Sequence, residues 1–67
     1  MKSLTLYTVK NDEDKFIYPT MGGGNIWGDV PDFRNAARHK DQAHGWCYNV
    51  SQTYDRPVEV AEIKITW

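Results

Sequence analysis

Cysteine is almost missing from this chain: among 67 residues only Cys47 carries a thiol, so an internal disulfide framework is excluded. Long apolar runs are missing too. No stretch approaches the ~20 apolar residues of a membrane-spanning helix. The amino-terminal "MKSLTLYTVKNDED" has neither a sustained apolar core nor a small-residue cleavage site, so it does not read as a signal peptide. The expected location is therefore cytoplasmic. Charge of one sign is also lacking: eight basic residues face nine acidic ones, for a net charge of −1. That balance argues against a general polyanion binder, though a local basic patch is still allowed.

What is abundant is aromatic surface. Three Trp, four Tyr and two Phe make up 13% of the chain, and each such ring can bury ~150–250 Å². A single domain of this length, unstapled, must draw its stability from burying them. It is also too small to hide all nine, so some aromatic surface is expected to face a partner.

Local patterns predict three strands and one helical region. "SLTLYTVKN" is rich in residues that suit a pleated surface. "NDED" (residues 11–14) is a polar turn, and "KFIYPT" is a second strand ended by Pro19, so a short antiparallel hairpin is expected. Asp29 and Asp32, with Pro31 between them, are helix-start signals. From there Phe33, Ala36, Ala37, Ala43, Trp46, Cys47, Val50 and Tyr54 recur at helical steps, interrupted at Lys40. This predicts either a short helix, a break with Asp41 as a second N-cap, and a longer helix, or one kinked helix. Asp55-Arg56-Pro57 ends it. "VEVAEIKITW" alternates Ala61, Ile63, Ile65 and Trp67 against Glu62, Lys64 and Thr66, and is the clearest strand of all.

The expected fold is thus α+β: a small three-stranded sheet in ββαβ order, a single domain over residues 1–67, with one kinked or split helix on one face. The helical crossover would allow the last strand to run parallel to a neighbour. Phe33, Ala37, Trp46, Cys47, Val50, Ile63 and Ile65 form the expected core. The sheet face left uncovered by the helix would carry Leu6 or Tyr7, Phe16 or Ile17, and Trp67, and a symmetric homodimer would bury it.

Taken together, strand, NDED turn, strand, a loop with a Trp, "FRNAARHKDQAHGW" and a "VEVAEIKI" strand resemble the small ββαβ accessory proteins common in bacteriophage genomes. That resemblance implies a class and no residue roles. Where such proteins have a function, they are frequently inhibitors or modifiers of a host protein, acting in the host cytoplasm.

"TMGGGNIWGD" (residues 20–29) invites a phosphate-binding interpretation that its spacing does not support. No Lys followed by Ser or Thr comes after the glycines as a P-loop requires, and Trp27 stands where the third glycine of a dinucleotide fingerprint belongs. Asp29 and Asp32 would repel phosphate. The stretch reads instead as a strand-to-helix connection whose glycines permit positive φ. Its Ile26 and Trp27 are either presented to a partner or, for Trp27, folded back as a lid on the core.

His44 and Cys47 are three residues apart on a helix, too few ligands for a structural zinc, and Cys47 lies on the buried stripe where thiols are inert. Asp12, Glu13 and Asp14 read as a solvated turn. No catalytic residue, metal or cofactor is therefore assigned, and a non-enzymatic protein-binding module is the leading expectation. Ile26, Trp27, Arg34 and Arg38 are the candidate partner-binding residues, facing a host protein and not a membrane. The alternative is a nucleic-acid-binding accessory protein that uses Arg34, Arg38 and Lys40 as a basic helix face.

Overall fold

The computed structural model describes residues 1–20 and 25–67. It has five elements in the order β1 (Ser3–Asn11), β2 (Phe16–Pro19), β3 (Asn25–Gly28), α1 (Lys40–Thr53) and β4 (Val58–Thr66). The four strands form one antiparallel sheet in the order β3-β2-β1-β4. α1 packs across β1 and β4. The α+β class is as expected, but among the described residues there are four strands and not three.

The extra strand is β3, built from the residues expected to form a loop. Asn25–Gly28 pairs with Phe16–Pro19 in full register, Ile17 opposite Trp27 and Tyr18 opposite Ile26. Ile and Trp both favour a pleated, half-buried surface, and that preference prevails here over the neighbouring glycines. Gly22, Gly23 and Gly24, which prompted the phosphate question, lie outside the described residues.

The last strand is antiparallel to β1, not parallel to a neighbour. They pair along nine residues, from Ser3 opposite Thr66 to Asn11 opposite Val58. Residues directly opposite share a face, so this register sorts the side chains. Val9, Asn11, Val58 and Val60 lie on one face, joined through β2 and β3 by Ile17 and Trp27. Leu4, Leu6, Thr8, Ala61, Ile63 and Ile65 lie on the other, together with Phe16, Tyr18 and Ile26.

The helix chooses the first face. Val9, Ile17 and Val50 form the buried cluster, and Trp27, Trp46, Cys47, Tyr54 and Val58 pack around it. Ala43 and Val50 are the buried helical positions. The expected stripe of Ala43, Trp46, Cys47, Val50 and Tyr54 is therefore inward-facing, while the strand half of the expected core is corrected. Ile63 and Ile65 are half-buried on the opposite face, paired with Leu6 and Leu4. Alternation identified two faces of β4 but not which one the helix would cover. The valines at the start of the strand, not the isoleucines further along, meet α1.

The front half of the expected helical region is not helical. Asp32 does what an N-cap residue does, but to a turn: its carboxylate accepts from the Arg34 amide (3.2 Å) and from Asn35 Nδ2 (2.7 Å). Such Asx bonding competes directly with helix formation. Ala37 then exchanges backbone hydrogen bonds with Tyr7, at 2.8 and 2.7 Å. Its amide and carbonyl serve β1 and are lost to any helix. Phe33 and Ala37 thus leave the expected core, Phe33 exposed and Ala37 half-buried in a bridge to the sheet. α1 starts only at Lys40, capped by the extended His39, with Asp41 in its first turn and not at its cap. An acid there still complements the helix dipole.

Two local features carry testable stabilities. Asn11 is buried, and its Oδ1 accepts from the amides of Glu13 (2.9 Å) and Lys15 (3.1 Å), while Nδ2 donates to the Tyr54 hydroxyl (3.4 Å). It organises the hairpin turn, in which Asp14 takes φ 59°, and ties that turn to the end of α1. Asn11→Ala removes these bonds and should cost about 2–3 kcal/mol, read from urea midpoints. Gly45 sits in the exposed middle of α1, with nothing within 4 Å of where a Cβ would stand. Gly45→Ala should therefore stabilise the domain by about 0.5–1 kcal/mol in the same measurement.

Candidate functional site

The sheet's two faces separate Ile26 and Trp27, two of the four residues singled out in the sequence. Ile26 and Trp27 are neighbours on a strand, so their side chains point to opposite sides. Trp27 turns toward the helix, where its ring meets that of Tyr54 with centroids 4.9 Å apart and planes inclined by 35°. It is half-buried against the core cluster. Its ring therefore packs on the core cluster beside Tyr54.

Ile26 points the other way and is 62% exposed. Beside it on that face lies Tyr18, its cross-strand partner. The Tyr18 ring lies over Gly28, where an added Cβ would come within 2.7 Å of the ring edge. Its hydroxyl donates to the Val30 carbonyl at 2.5 Å. Glycine at 28 therefore leaves room for the aromatic ring, and the hydroxyl ties the chain after β3 to β2. A pair between Lys15 and Asp29 holds the same corner.

Val30, tethered in this way, is 63% exposed, and Phe33 is 50% exposed. Phe33 is three residues from Val30, within about 10 Å even for extended chain. Ile26, Val30 and Phe33 thus follow one another along a short path outside the core. An isolated exposed apolar side chain is ordinary, but a run of them beside cationic residues marks a surface suited to a partner.

Arg34 and Arg38 follow this run in the chain, though not as two turns of a helix. Arg34 belongs to the Asp32 turn and Arg38 follows the Ala37 bridge. The basic helix face expected over Arg34, Arg38 and Lys40 does not exist as such, because only Lys40 is helical. A different property distinguishes these three, together with Lys2 at the start of the chain, from the other basic residues. Lys10, Lys15, Arg56 and Lys64 are each engaged by carboxylates. Arg56 joins Asp12 and Glu13 of the hairpin turn, and Lys10, through Glu59 first and Asp14 second, has its pKa raised. Among the described residues Arg34, Arg38 and Lys40 take part in no ion pair and are exposed. This concentration of unpaired cations within seven residues cannot be read from net charge.

Cys47 is half-buried against the core, and burial pushes its thiol pKa up, away from the reactive thiolate. His44 is exposed, and among the described residues no three His, Cys, Asp or Glu side chains gather to hold a metal ion. A depression of about 170 Å³ lined by Asn11, Asp12, Pro57, Val58 and Glu59 is smaller than the ~300–1,000 Å³ of typical ligand clefts. No helix among the described residues is long and apolar enough to cross a membrane.

No protein-family model, curated protein or solved structure matches the chain.

Proposed function

We propose that this chain is a non-enzymatic protein-binding module, of the kind a phage uses to inhibit or modulate a host protein. The observation that carries this reading is the run of exposed Ile26, Val30 and Phe33 beside the unpaired Arg34 and Arg38. Apolar anchors next to arginine are what protein interfaces select, since aromatic and Arg side chains dominate their binding energy. Trp27 supports the surface from beneath, holding β3 against the core.

A nucleic-acid-binding accessory protein is the second reading, favoured by the unpaired Arg34, Arg38 and Lys40. The two differ in salt response. Phosphate contacts release counterions and give affinity a steep negative dependence on salt, whereas an interface anchored by Ile26, Val30 and Phe33 is much less sensitive.

The tagged protein, immobilised and exposed to nuclease-treated bacterial lysate, should retain a protein partner that survives a moderate salt wash. Phe33→Ser combined with Arg34→Ala should weaken retention by about 2 kcal/mol or more, roughly thirtyfold. Both side chains are exposed, so melting temperature should barely move. Retention that is unchanged in the double variant, or that occurs only in lysate left untreated with nuclease and is lost in salt, contradicts the reading.

A further inference from the structure

The outer edge of β4 is the longest unsatisfied feature of the sheet. β4 lies at the end of the strand order and runs nine residues without proline, and among the described residues no strand pairs with its outer side. Open edges of this length are templates for another strand.

The hydrogen-bond phase of that edge follows from the pairing on its inner side. Lys2 and Trp67 exchange both backbone bonds, at 2.6 and 2.9 Å. In an antiparallel ladder, such pairs alternate with pairs whose amides and carbonyls point away. Glu59, Ala61, Ile63 and Ile65 therefore bond to β1. Val58, Val60, Glu62, Lys64 and Thr66 direct theirs outward. Only registers that oppose these even-numbered residues can satisfy the edge.

We infer that β4 pairs antiparallel with β4 of a second copy of this chain, about a two-fold axis at Ile63. In this register Glu62 stands opposite the partner's Lys64 and Lys64 opposite the partner's Glu62, both as hydrogen-bonded pairs. Val60 stands opposite the partner's Thr66. On the other face Ile63 meets its own copy as a closely spaced pair, with Ala61 opposite the partner's Ile65. Cross-strand opposite charges and apolar pairs are the contacts that stabilise a sheet.

Neighbouring registers lack this complementarity. An axis at Glu62 sets Glu62 against itself, and an axis at Lys64 sets Lys64 against itself. An axis at Ala61 places Glu59 opposite Ile63 and Lys64 opposite Val58. The charges that ordinarily protect an edge strand thus select one symmetric pairing. Glu62 and Lys64 already pair within one chain at 3.4 Å, with side chains 48% and 75% exposed, so the dimer would interleave two such pairs. It would also extend the face of exposed Leu4 and half-buried Ile63 and Ile65 across the axis. Ile26 of the proposed partner surface is on β3, at the opposite edge of the sheet from β4, so the two surfaces can be tested separately.

Charge reversal tests it through sedimentation equilibrium from micromolar to high-micromolar concentration. The unaltered chain should pass from monomer to dimer. Glu62→Lys and Lys64→Glu should each weaken self-association about tenfold or more, since two symmetric attractive pairs become repulsive. An equimolar mixture of the two variants should recover association as a heterodimer. One chain then carries lysine at both positions and the other glutamate at both, so each cross-strand pair is again of opposite charge. A chain that stays monomeric throughout overturns the inference. So do single variants that dimerise as well as the unaltered chain, or a mixture no stronger than its components.

Discussion

Ile17→Ala should bring the domain close to unfolding. Ile17 is fully buried, and with Val9 and Val50 it forms the cluster on which the helix and two tryptophans rest. Truncation of a buried isoleucine costs about 2–5 kcal/mol, the larger values where surroundings cannot collapse into the space. Here the cavity would open between the sheet and the rigid rings of Trp27 and Trp46. A domain this size has on the order of 3–10 kcal/mol to lose. Each kcal/mol corresponds to about 4–8 °C in melting temperature, so circular dichroism melts should show a fall of about 10 °C or more. A fall of only a few degrees would mean that β2 does not contribute to the core as described.

Trp27→Ala should act on the same core from the other edge strand. It removes the ring contact with Tyr54 and uncovers the buried cluster, at about 2–4 kcal/mol by the cost of truncating a packed aromatic, reduced for partial exposure. Its diagnostic feature is the contrast with its neighbour. Ile26→Ser, one residue away and facing outward, should change stability by no more than about 0.5 kcal/mol. Partner binding should follow the opposite order: folded Trp27→Ala protein retains its affinity, and Ile26→Ser loses it. Melts paired with binding titrations separate the two residues. A stable Trp27→Ala protein with lost affinity would reverse the assignment of faces at β3.

That contrast also shows what could be read from the sequence. The hairpin turn, the inward stripe from Ala43 to Tyr54, the helix stop before Pro57 and the final strand all follow from local pattern, because local chemistry decides them. Two features depend on distant partners and were not legible. Asn25–Gly28 becomes a strand because β2 offers it an edge, and Ala37 leaves the helix because Tyr7 offers it two hydrogen bonds. A glycine-rich neighbourhood and the helix-start signals of Asp29, Pro31 and Asp32 pointed elsewhere in each case. The faces of β4 were legible as two sets, but the choice between them depends on where α1 lands. For the candidate site, Ile26, Arg34 and Arg38 were identifiable as residue types. Val30 and Phe33 were not, since their exposure depends on Tyr18 lying over Gly28 and on Asp32 turning the chain. In hindsight a glycine two residues beyond Ile26, opposite a tyrosine-bearing strand, is the signal that marks this corner.

The proposal that the chain binds a protein through Ile26, Val30, Phe33, Arg34 and Arg38 is tested most directly by amide NMR of the ¹⁵N-labelled chain, titrated with nuclease-treated bacterial lysate. Resonances of Ile26, Val30 and Phe33 through Arg38 should broaden selectively, while the indole N–H of Trp27 and the amides of α1 from Ala43 to Val50 keep their positions. Broadening confined to α1 or to the Trp27 ring, or a spectrum unchanged by lysate, would contradict it.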